Sequence, residues 1–278
     1  MRICAIVLAA TLPVFDFATN SIAQRIAGAD PAVCLSRFVD YPPSKGKLGF
    51  PRCLWEKPFP ANDKFWLRGV DFSCVSPWND ESGTTRAGTA ISRRHIVFAK
   101  HFPLWKGVRI VFVGEDGGVC PAQIEATKGI DDSDIMIGLL NYELTPNIKP
   151  ARVLPEDFAK YIGMGRGLPV VTFNQQEKAL LMESNPLPTN MVQRLMTWSH
   201  VPKNAKGTAF WRKIVGGDSG NPAFLLIGNE PILLYCLQGG GSGCGSGLHL
   251  YRKEVQAAMD ELCPGYRLET FDFGKVVK

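Results

Sequence analysis

Residues 88–101 read GTAISRRHIVFAKH, and this stretch shows the pattern that decides the fold. One apolar run at 87–91 and a second at 95–99 flank three polar residues. β-Branched and aromatic side chains are frequent in both runs, and such side chains favour strands. The second run ends directly before Lys100 and His101, so a polar side chain is expected at the end of a strand.

The same texture continues along the chain from Gly83, with Gly, Pro, Asn and Asp between short apolar runs. Further runs lie at 108–113, 123–126, 135–140, 170–173, 179–182, 193–198, 209–214, 223–227 and 232–237. Many short strands at a spacing of about ten residues are typical of an all-β sandwich or barrel.

An amphipathic helix is predicted near the C-terminus. Tyr251, Val255, Ala258 and Leu262 are spaced so that they form one apolar stripe on a helix. A Cys-Pro-Gly sequence at 263–265 ends the predicted helix. The chain is therefore expected to form many strands followed by one helix.

Composition places the chain among ordinary globular proteins. Its 278 residues suffice for one large domain or two small ones, and 45% are hydrophobic while 21% are charged. The net charge is +5, and the basic residues are scattered rather than clustered. A nucleic-acid partner is therefore not expected.

The first residues predict export. A positive start at Met1-Arg2 precedes an apolar run at 3–15, which is too short to span a bilayer. Small residues at 21–23 predict a signal peptide over 1–23, cleaved before Gln24. We expect a secreted or periplasmic protein with no stable membrane insertion after cleavage. A membrane anchor is the alternative, and Asp16 argues against it.

Residues 24–82 are rich in Pro, Asp, Lys and aromatic residues without a sustained period, so an irregular extension is expected. The chain has eight cysteines, of which Cys4 lies in the predicted signal peptide. Export permits disulfides, and Cys34 with Cys53 is a plausible local pair. The seven cysteines outside the predicted signal peptide are an odd number, so at least one thiol is free or pairs between chains. No His/Cys spacing suggests zinc, so neither a metal nor a cofactor is expected.

The segment 216–222 reads GGDSGNP and offers a candidate nucleophile. Glycines around Ser219 allow a tight turn that exposes the hydroxyl group. Backbone N–H groups in such a turn can point at one place, as stabilisation of an oxyanion requires. A glycine-rich hairpin turn without chemistry is the alternative interpretation.

A serine hydroxyl needs a base, and the base needs an acid that orients it. Among four histidines, His101 follows a strand end, whereas His95 lies inside the same strand. Asp134 opens the strongly apolar run 135–140, so partial burial is expected there. Asp131 and Asp132 lie in the preceding loop and are the alternatives. His200 and His249 flank no comparable strand end.

Three segments in this order resemble the trypsin/chymotrypsin-like serine protease superfamily, in particular its bacterial-type branches. "GTAISRRHIVFAKH" is similar to the family's strand before its histidine, "DSDIMIGLL" to its aspartate segment and "GGDSGNPAF" to its serine segment. The resemblance covers about 83–265. It implies two six-stranded antiparallel barrels at about 83–155 and 165–247, a helix at about 249–262 and a tail at 266–278.

The resemblance also implies roles for individual residues. Ser219 would be the nucleophile, His101 the general base and then the general acid, and Asp134 the residue that orients His101. The N–H groups of Gly217 and Ser219 would form the oxyanion hole. The implied activity is that of a secreted serine endopeptidase acting on a peptide or protein substrate.

The substrate pocket is less well defined by the resemblance. Gly239, Gly240 and Gly241 would line its wall, and ungapped counting places its base near Lys213. No I-V-G-G segment precedes Gly83, so activation by a new N-terminus is not expected.

Two departures from the family pattern leave alternatives open. Lys100 precedes the histidine, and Asn221 replaces a glycine after the serine. A catalytically inactive, protease-fold binding protein is one alternative. The order of the three residues argues against an α/β-hydrolase, in which the serine comes first, because Ser219 comes last here. If the chain is an interaction protein that contains GDSG by chance, the three side chains are expected to lie far apart.

Overall fold

The computed structural model describes residues 12–39, 60–76, 78–79, 86–190 and 196–275. The first sheet contains β1 (Val75–Ser76), β2 (Trp78–Asn79), β3 (Gly88–Ala90), β4 (His95–Ala99), β5 (Arg109–Val113), β6 (Val119–Gly129) and β7 (Ile135–Leu140). The second sheet contains β8 (Arg152–Val153), β9 (Pro169–Phe173), β10 (Ala179–Ser184), β11 (Met196–His200), β12 (Pro222–Ile227), β13 (Glu230–Cys236) and β14 (Cys244–Ser246). The helices are α1 (Leu12–Ile26), α2 (Pro31–Cys34), α3 (Ala159–Ile162), α4 (Ala205–Ala209), α5 (Arg252–Leu262) and a 3₁₀ turn, Phe273–Lys275.

The first sheet closes on itself because one short stretch of chain pairs with both of its edges. The strand order is β1-β3-β4-β7-β6-β5-β2, and every pair is antiparallel. Only one residue separates β1 from β2 in the sequence, so together they act as one strand of a six-stranded barrel. Closure leaves no unpaired edge that could recruit another chain.

The second sheet has the order β14-β11-β10-β9-β12-β13-β8, and its pairs are antiparallel except for β13 with β8. It curls because the chain after β13 returns to β14. The N–H of Gln238 donates to the carbonyl of Cys244, and the N–H of Leu248 donates to the carbonyl of Leu234, both at 2.8 Å. The predicted fold of two antiparallel barrels with a C-terminal helix is confirmed.

The region before residue 83 contributes more than an irregular extension would. It supplies β1 and β2, so the first barrel begins at Val75 rather than at the expected boundary. It also covers one face of the second barrel, where the ring of Phe72 packs against Phe173 and Phe224 with centroids 5.0 and 5.5 Å apart. β9 and β12 are buried throughout, as their mostly apolar sequences predict. The polar exception, Thr172 of β9, donates from Oγ1 to the carbonyl of Pro222 at 2.8 Å.

The predicted C-terminal stripe packs on the barrels. Tyr251, Val255 and Ala258 are buried, while Leu262 is half-buried. Beyond α5, the N–H of Phe271 donates to the carbonyl of Val153 at 2.9 Å. The expected tail is therefore attached to β8.

The described N-terminal part begins with α1, and the predicted cleavage before Gln24 falls within this helix. Residues 1–11 lie outside the described residues, so the signal peptide stays a prediction. Cys53 also lies outside them, and with it the expected pair with Cys34. The six described cysteines have free thiols. Among the described helices, none combines the length and apolarity needed to span a membrane.

Acid should destabilise the second barrel through His249. Its Nε2–H donates to the carbonyl of Pro188 at 2.9 Å, and burial lowers the pKa of His249 from 6.5 to about 4. The unfolded chain therefore takes up this proton first, and stability is lost as the pH falls from 6.5 towards 4. We expect this residue to account for up to about 3 kcal/mol of that loss.

The variant His249→Gln keeps a donor for Pro188 but cannot be protonated. Urea unfolding of the wild type and the variant between pH 7 and pH 4.5 should show a smaller loss of stability in the variant. Parallel pH profiles for the two proteins would show that His249 is not the responsible group.

Candidate active site

The register of two strands brings His101 to Asp134. β4 and β7 are antiparallel with Ala99 opposite Ile135, so the residues that follow β4 lie beside those that precede β7. The N–H of Lys100 donates to the carbonyl of Asp134 at 2.9 Å, and the N–H of His101 donates to Asp134 Oδ1 at 2.7 Å. His101 Nδ1 forms a short hydrogen bond with Asp134 Oδ2. The carboxylate therefore fixes the orientation of the imidazole.

Ser219 approaches this pair from the other barrel. It lies in the loop before β12, and its Oγ is 2.9 Å from His101 Nε2. Gly220, which follows it, has φ +85° and lies so close to β3 and β4 that a Cβ would be 3.2 Å from the carbonyl oxygen of Ala87. The glycine thus permits the close approach of the two barrels at this point.

Asp218 organises the loop around the nucleophile from within. It is only 1% exposed. Its Oδ1 accepts the N–H of Gln175 at 3.0 Å, and its Oδ2 accepts the N–H of Val215 at 2.8 Å. Burial raises the pKa of Asp218, and these two hydrogen bonds counteract that rise. The carboxylate next to Ser219 thus braces the loop through backbone donors.

The backbone N–H groups on both sides of Asp218 remain available. The N–H of Asp218 donates to Val215 and that of Gly220 to Leu237, whereas in the described part of the chain no acceptor receives those of Gly217 and Ser219. Gly217 has φ +96°, a conformation that glycine adopts readily. Free backbone donors beside a serine hydroxyl are suited to stabilise an oxyanion.

A polar pair from the second barrel supports Asp134, and the sequence analysis did not identify it. The N–H of Asp134 donates to Ser246 Oγ at 3.4 Å. Gln238 Oε1 accepts from the N–H of Ser246 at 2.9 Å and from its Oγ at 3.2 Å. Neither residue carries a recognisable motif, because their proximity to Asp134 arises from the docking of β14 onto the first barrel.

The alternative acid and base candidates lie elsewhere. Asp131 and Asp132 are exposed in the loop before β7. His95 is buried, with Nδ1 2.8 Å from Ser92 Oγ, and His200 lies 3.8 Å from Glu183. None of these four candidate residues contacts Ser219 among the interactions of the described residues.

The expected substrate wall lies beside the segment that leads to Ser219. Ile214 and Gly241 exchange two backbone hydrogen bonds, at 2.9 and 3.1 Å, and Gly239 pairs with Cys244. Gly240 is exposed on the same loop. Lys213 is also exposed, so its side chain does not form the buried base of a pocket.

No protein-family model matches this chain, and no curated protein matches it either. Within the described residues, no group of three or more His, Cys, Asp or Glu side chains could hold a metal ion. A carboxylate, an imidazole and a hydroxyl in hydrogen-bonded sequence can move a proton from the hydroxyl to the imidazole.

The glycines of residues 215–221, which we name the nucleophile loop, provide a test of its backbone geometry. Gly220→Ala forces a side chain into a left-handed conformation and against Ala87, and should lower the free energy of unfolding by at least about 1–2 kcal/mol. Gly216→Ala is the matched control, since a Cβ there meets no atom within 4 Å. Urea unfolding of both variants gives the comparison. Equal stability of the two would contradict the described backbone at Gly220.

Proposed function

We propose that this protein is a serine endopeptidase that hydrolyses peptide bonds through an acyl-enzyme intermediate. The observation that carries the proposal is the continuous chain from Asp134 through His101 to Ser219 Oγ, in which the last contact measures 2.9 Å. A hydroxyl held on an imidazole that is itself held by a carboxylate is the arrangement that activates serine as a nucleophile.

The three side chains have different roles in the proposed reaction. Ser219 Oγ attacks the carbonyl carbon of the scissile bond while His101 Nε2 accepts its proton. Asp134 keeps the Nδ1 proton of His101 in place and stabilises the imidazolium ion. The imidazolium then protonates the leaving amine, and the acyl group remains on Ser219. Water then attacks the acyl carbon while His101 Nε2 accepts its proton. The imidazolium returns this proton to Ser219 Oγ as the carboxylic product leaves.

The oxyanion formed during both attacks requires donors that are already oriented. The N–H groups of Gly217 and Ser219 supply them in this proposal, because the bonds from Asp218 to its neighbours hold the loop in one conformation. Preorganised donors of this kind cost no rearrangement when the negative charge develops.

The remaining parts of the proposal concern substrate and location. An extended peptide would lie along the glycine-rich loop, where Gly239, Gly240 and Gly241 present backbone without side chains. From the predicted signal peptide, we propose that the protein acts outside the cytoplasm.

Lys100, which departs from the family pattern, does not interfere with the proposed chemistry. Its aliphatic side chain lies against Gly129, where a Cβ would be 3.2 Å from Lys100 Cε. The ammonium group therefore lies beside the end of β6 rather than between His101 and Ser219.

Covalent labelling tests the proposal directly. A fluorophosphonate probe should label the wild type at Ser219 and leave Ser219→Ala unlabelled. A folded wild-type protein that resists labelling would instead support the inactive, protease-fold binding protein.

Substitution of the acid tests the role of Asp134. Asp134→Asn should lower kcat for a peptide substrate by about 10³–10⁴-fold, because the amide favours the wrong tautomer of His101. Asp131→Asn changes an exposed carboxylate in the same loop and should retain wild-type kcat. Similar activity of the two variants would remove Asp134 from the mechanism.

A further inference from the structure

A segment far from the nucleophile in sequence, residues 30–39, lies along the second barrel; we name it the N-terminal strap. The N–H of Ala179 donates to the carbonyl of Leu35 at 2.9 Å, and Ser36 forms a β-bridge with Lys178. The strap is therefore attached to the start of β10, next to the turn that joins β9 to β10.

Arg37 of the strap forms a buried ion pair with Glu177 of that turn. Arg37 Nε is 3.3 Å from Glu177 Oε2, and the two side chains are 10% and 0% exposed. The guanidinium also donates to the carbonyls of Phe72 at 2.5 Å and Val75 at 3.3 Å, and it lies over the ring of Phe38. These contacts fix the position of Arg37, so the position of Glu177 is fixed with it.

Glu177 depends on this partner. Burial raises its pKa to about 7, and the charge of Arg37 opposes the rise. Among the ion pairs of the described residues, Arg37 is the partner of its carboxylate. Its backbone adopts φ +54°, a conformation that is unfavourable for a residue with a side chain. Surrounding contacts must therefore hold Glu177 where it is, and loss of one partner of a buried ion pair is strongly unfavourable.

The same turn contacts three consecutive residues of the nucleophile loop, Gly216, Gly217 and Asp218. The N–H of Gln175 donates to Asp218 Oδ1 at 3.0 Å, and Gln175 Nε2 donates to the carbonyl of Gly216 at 3.2 Å. The side-chain amide of Gln175 also lies against Gly217, where a Cβ would be 2.8 Å from Gln175 Oε1. A shift of the turn would thus reach the residues on both sides of Asp218.

We propose that Arg37 is a positioning residue for catalysis: through Glu177 it holds the turn at 174–178 so that Gln175 keeps Asp218 and the N–H groups of Gly217 and Ser219 in their active arrangement. The proposal rests on the proposed endopeptidase function. It makes the N-terminal strap a part of the catalytic apparatus, although no strap residue touches the triad. The strap then acts on the rate of bond cleavage rather than on the binding of the substrate.

Steady-state kinetics of the full chain separate this role from a merely structural one. Arg37→Met removes the charge and keeps the length, and it should lower kcat about 10–100-fold while KM changes less than about threefold. Inhibition by a peptide boronate, which engages Ser219 and the oxyanion donors, should weaken by the same factor as kcat. Arg37→Lys restores the charge and should recover part of kcat.

Arg68→Met is the matched control. Arg68 lies in the same N-terminal region and pairs with Asp63 on the surface, where the two side chains are 73% and 87% exposed. This variant should keep wild-type kcat and KM. If folded Arg37→Met retains wild-type kcat, or changes only KM, the proposal is wrong. If Arg37→Met does not fold, Glu177→Gln is the substitute variant. It removes the charge of the partner while keeping the shape of the side chain, and the same loss of kcat is expected.

Hydrogen exchange provides a readout that does not require activity. In Arg37→Met, amide exchange should become faster at 174–178 and at 215–220 together, whereas Arg68→Met should match the wild type in both segments. Unchanged exchange at 215–220 would overturn the proposal even if the wild type were an active protease. Absence of fluorophosphonate labelling in the wild type, with coupled exchange present, would instead overturn the endopeptidase function alone.

Discussion

The buried carboxylate of Asp218 links the nucleophile to the rest of the molecule. A carboxylate removed from water needs donors, and here both come from backbone N–H groups, at Gln175 and Val215. Because these donors belong to two different turns, the carboxylate holds the turns together around one point. The exposed hydroxyl of Ser219 and the available N–H groups beside it depend on that arrangement.

The two barrels contribute unequal parts to the candidate site. His101 follows β4 and Asp134 precedes β7, and these two strands are antiparallel neighbours, so strand register brings the two residues together. Ser219 comes from a loop of the other barrel, and its distance from His101 depends on how the barrels dock. Gly220 permits the close approach, and Ser246 adds a polar contact to Asp134 across the same boundary. The close approach of His101, Asp134 and Ser219 argues against the alternative that GDSG occurs here by chance, since that alternative expects them to lie far apart.

The region before residue 83 shows how absence of periodicity can conceal structural importance. Its proline-rich sequence predicts no long element, yet β1 and β2 close the first barrel and Phe72 covers part of the second. Short irregular segments can do this because they contribute single anchors, such as a ring or a guanidinium, rather than a repeated face. A pattern search for amphipathic periods does not detect single anchors.

The sequence by itself determined the local structure of this protein and its candidate catalytic residues. Apolar runs specified most strands of the barrels, a stripe at helical spacing specified α5, and glycines around Ser219 specified a tight turn. The residues His101, Asp134 and Ser219 could be selected because each stands at the end of a predicted strand or in such a turn. These signals are local, since burial of one face imposes a period on neighbouring residues.

Only the tertiary structure decided which distant groups meet. Arg37 and Glu177, Gln175 and Asp218, and Ser246 and Asp134 form pairs whose members are far apart in sequence and belong to no motif. Closure of the first barrel by β1 and β2 likewise depends on the curvature of the whole sheet. A single polar residue carries no period that reveals its partner, so ion pairs and hydrogen bonds of this kind become visible only once the barrels are folded and docked.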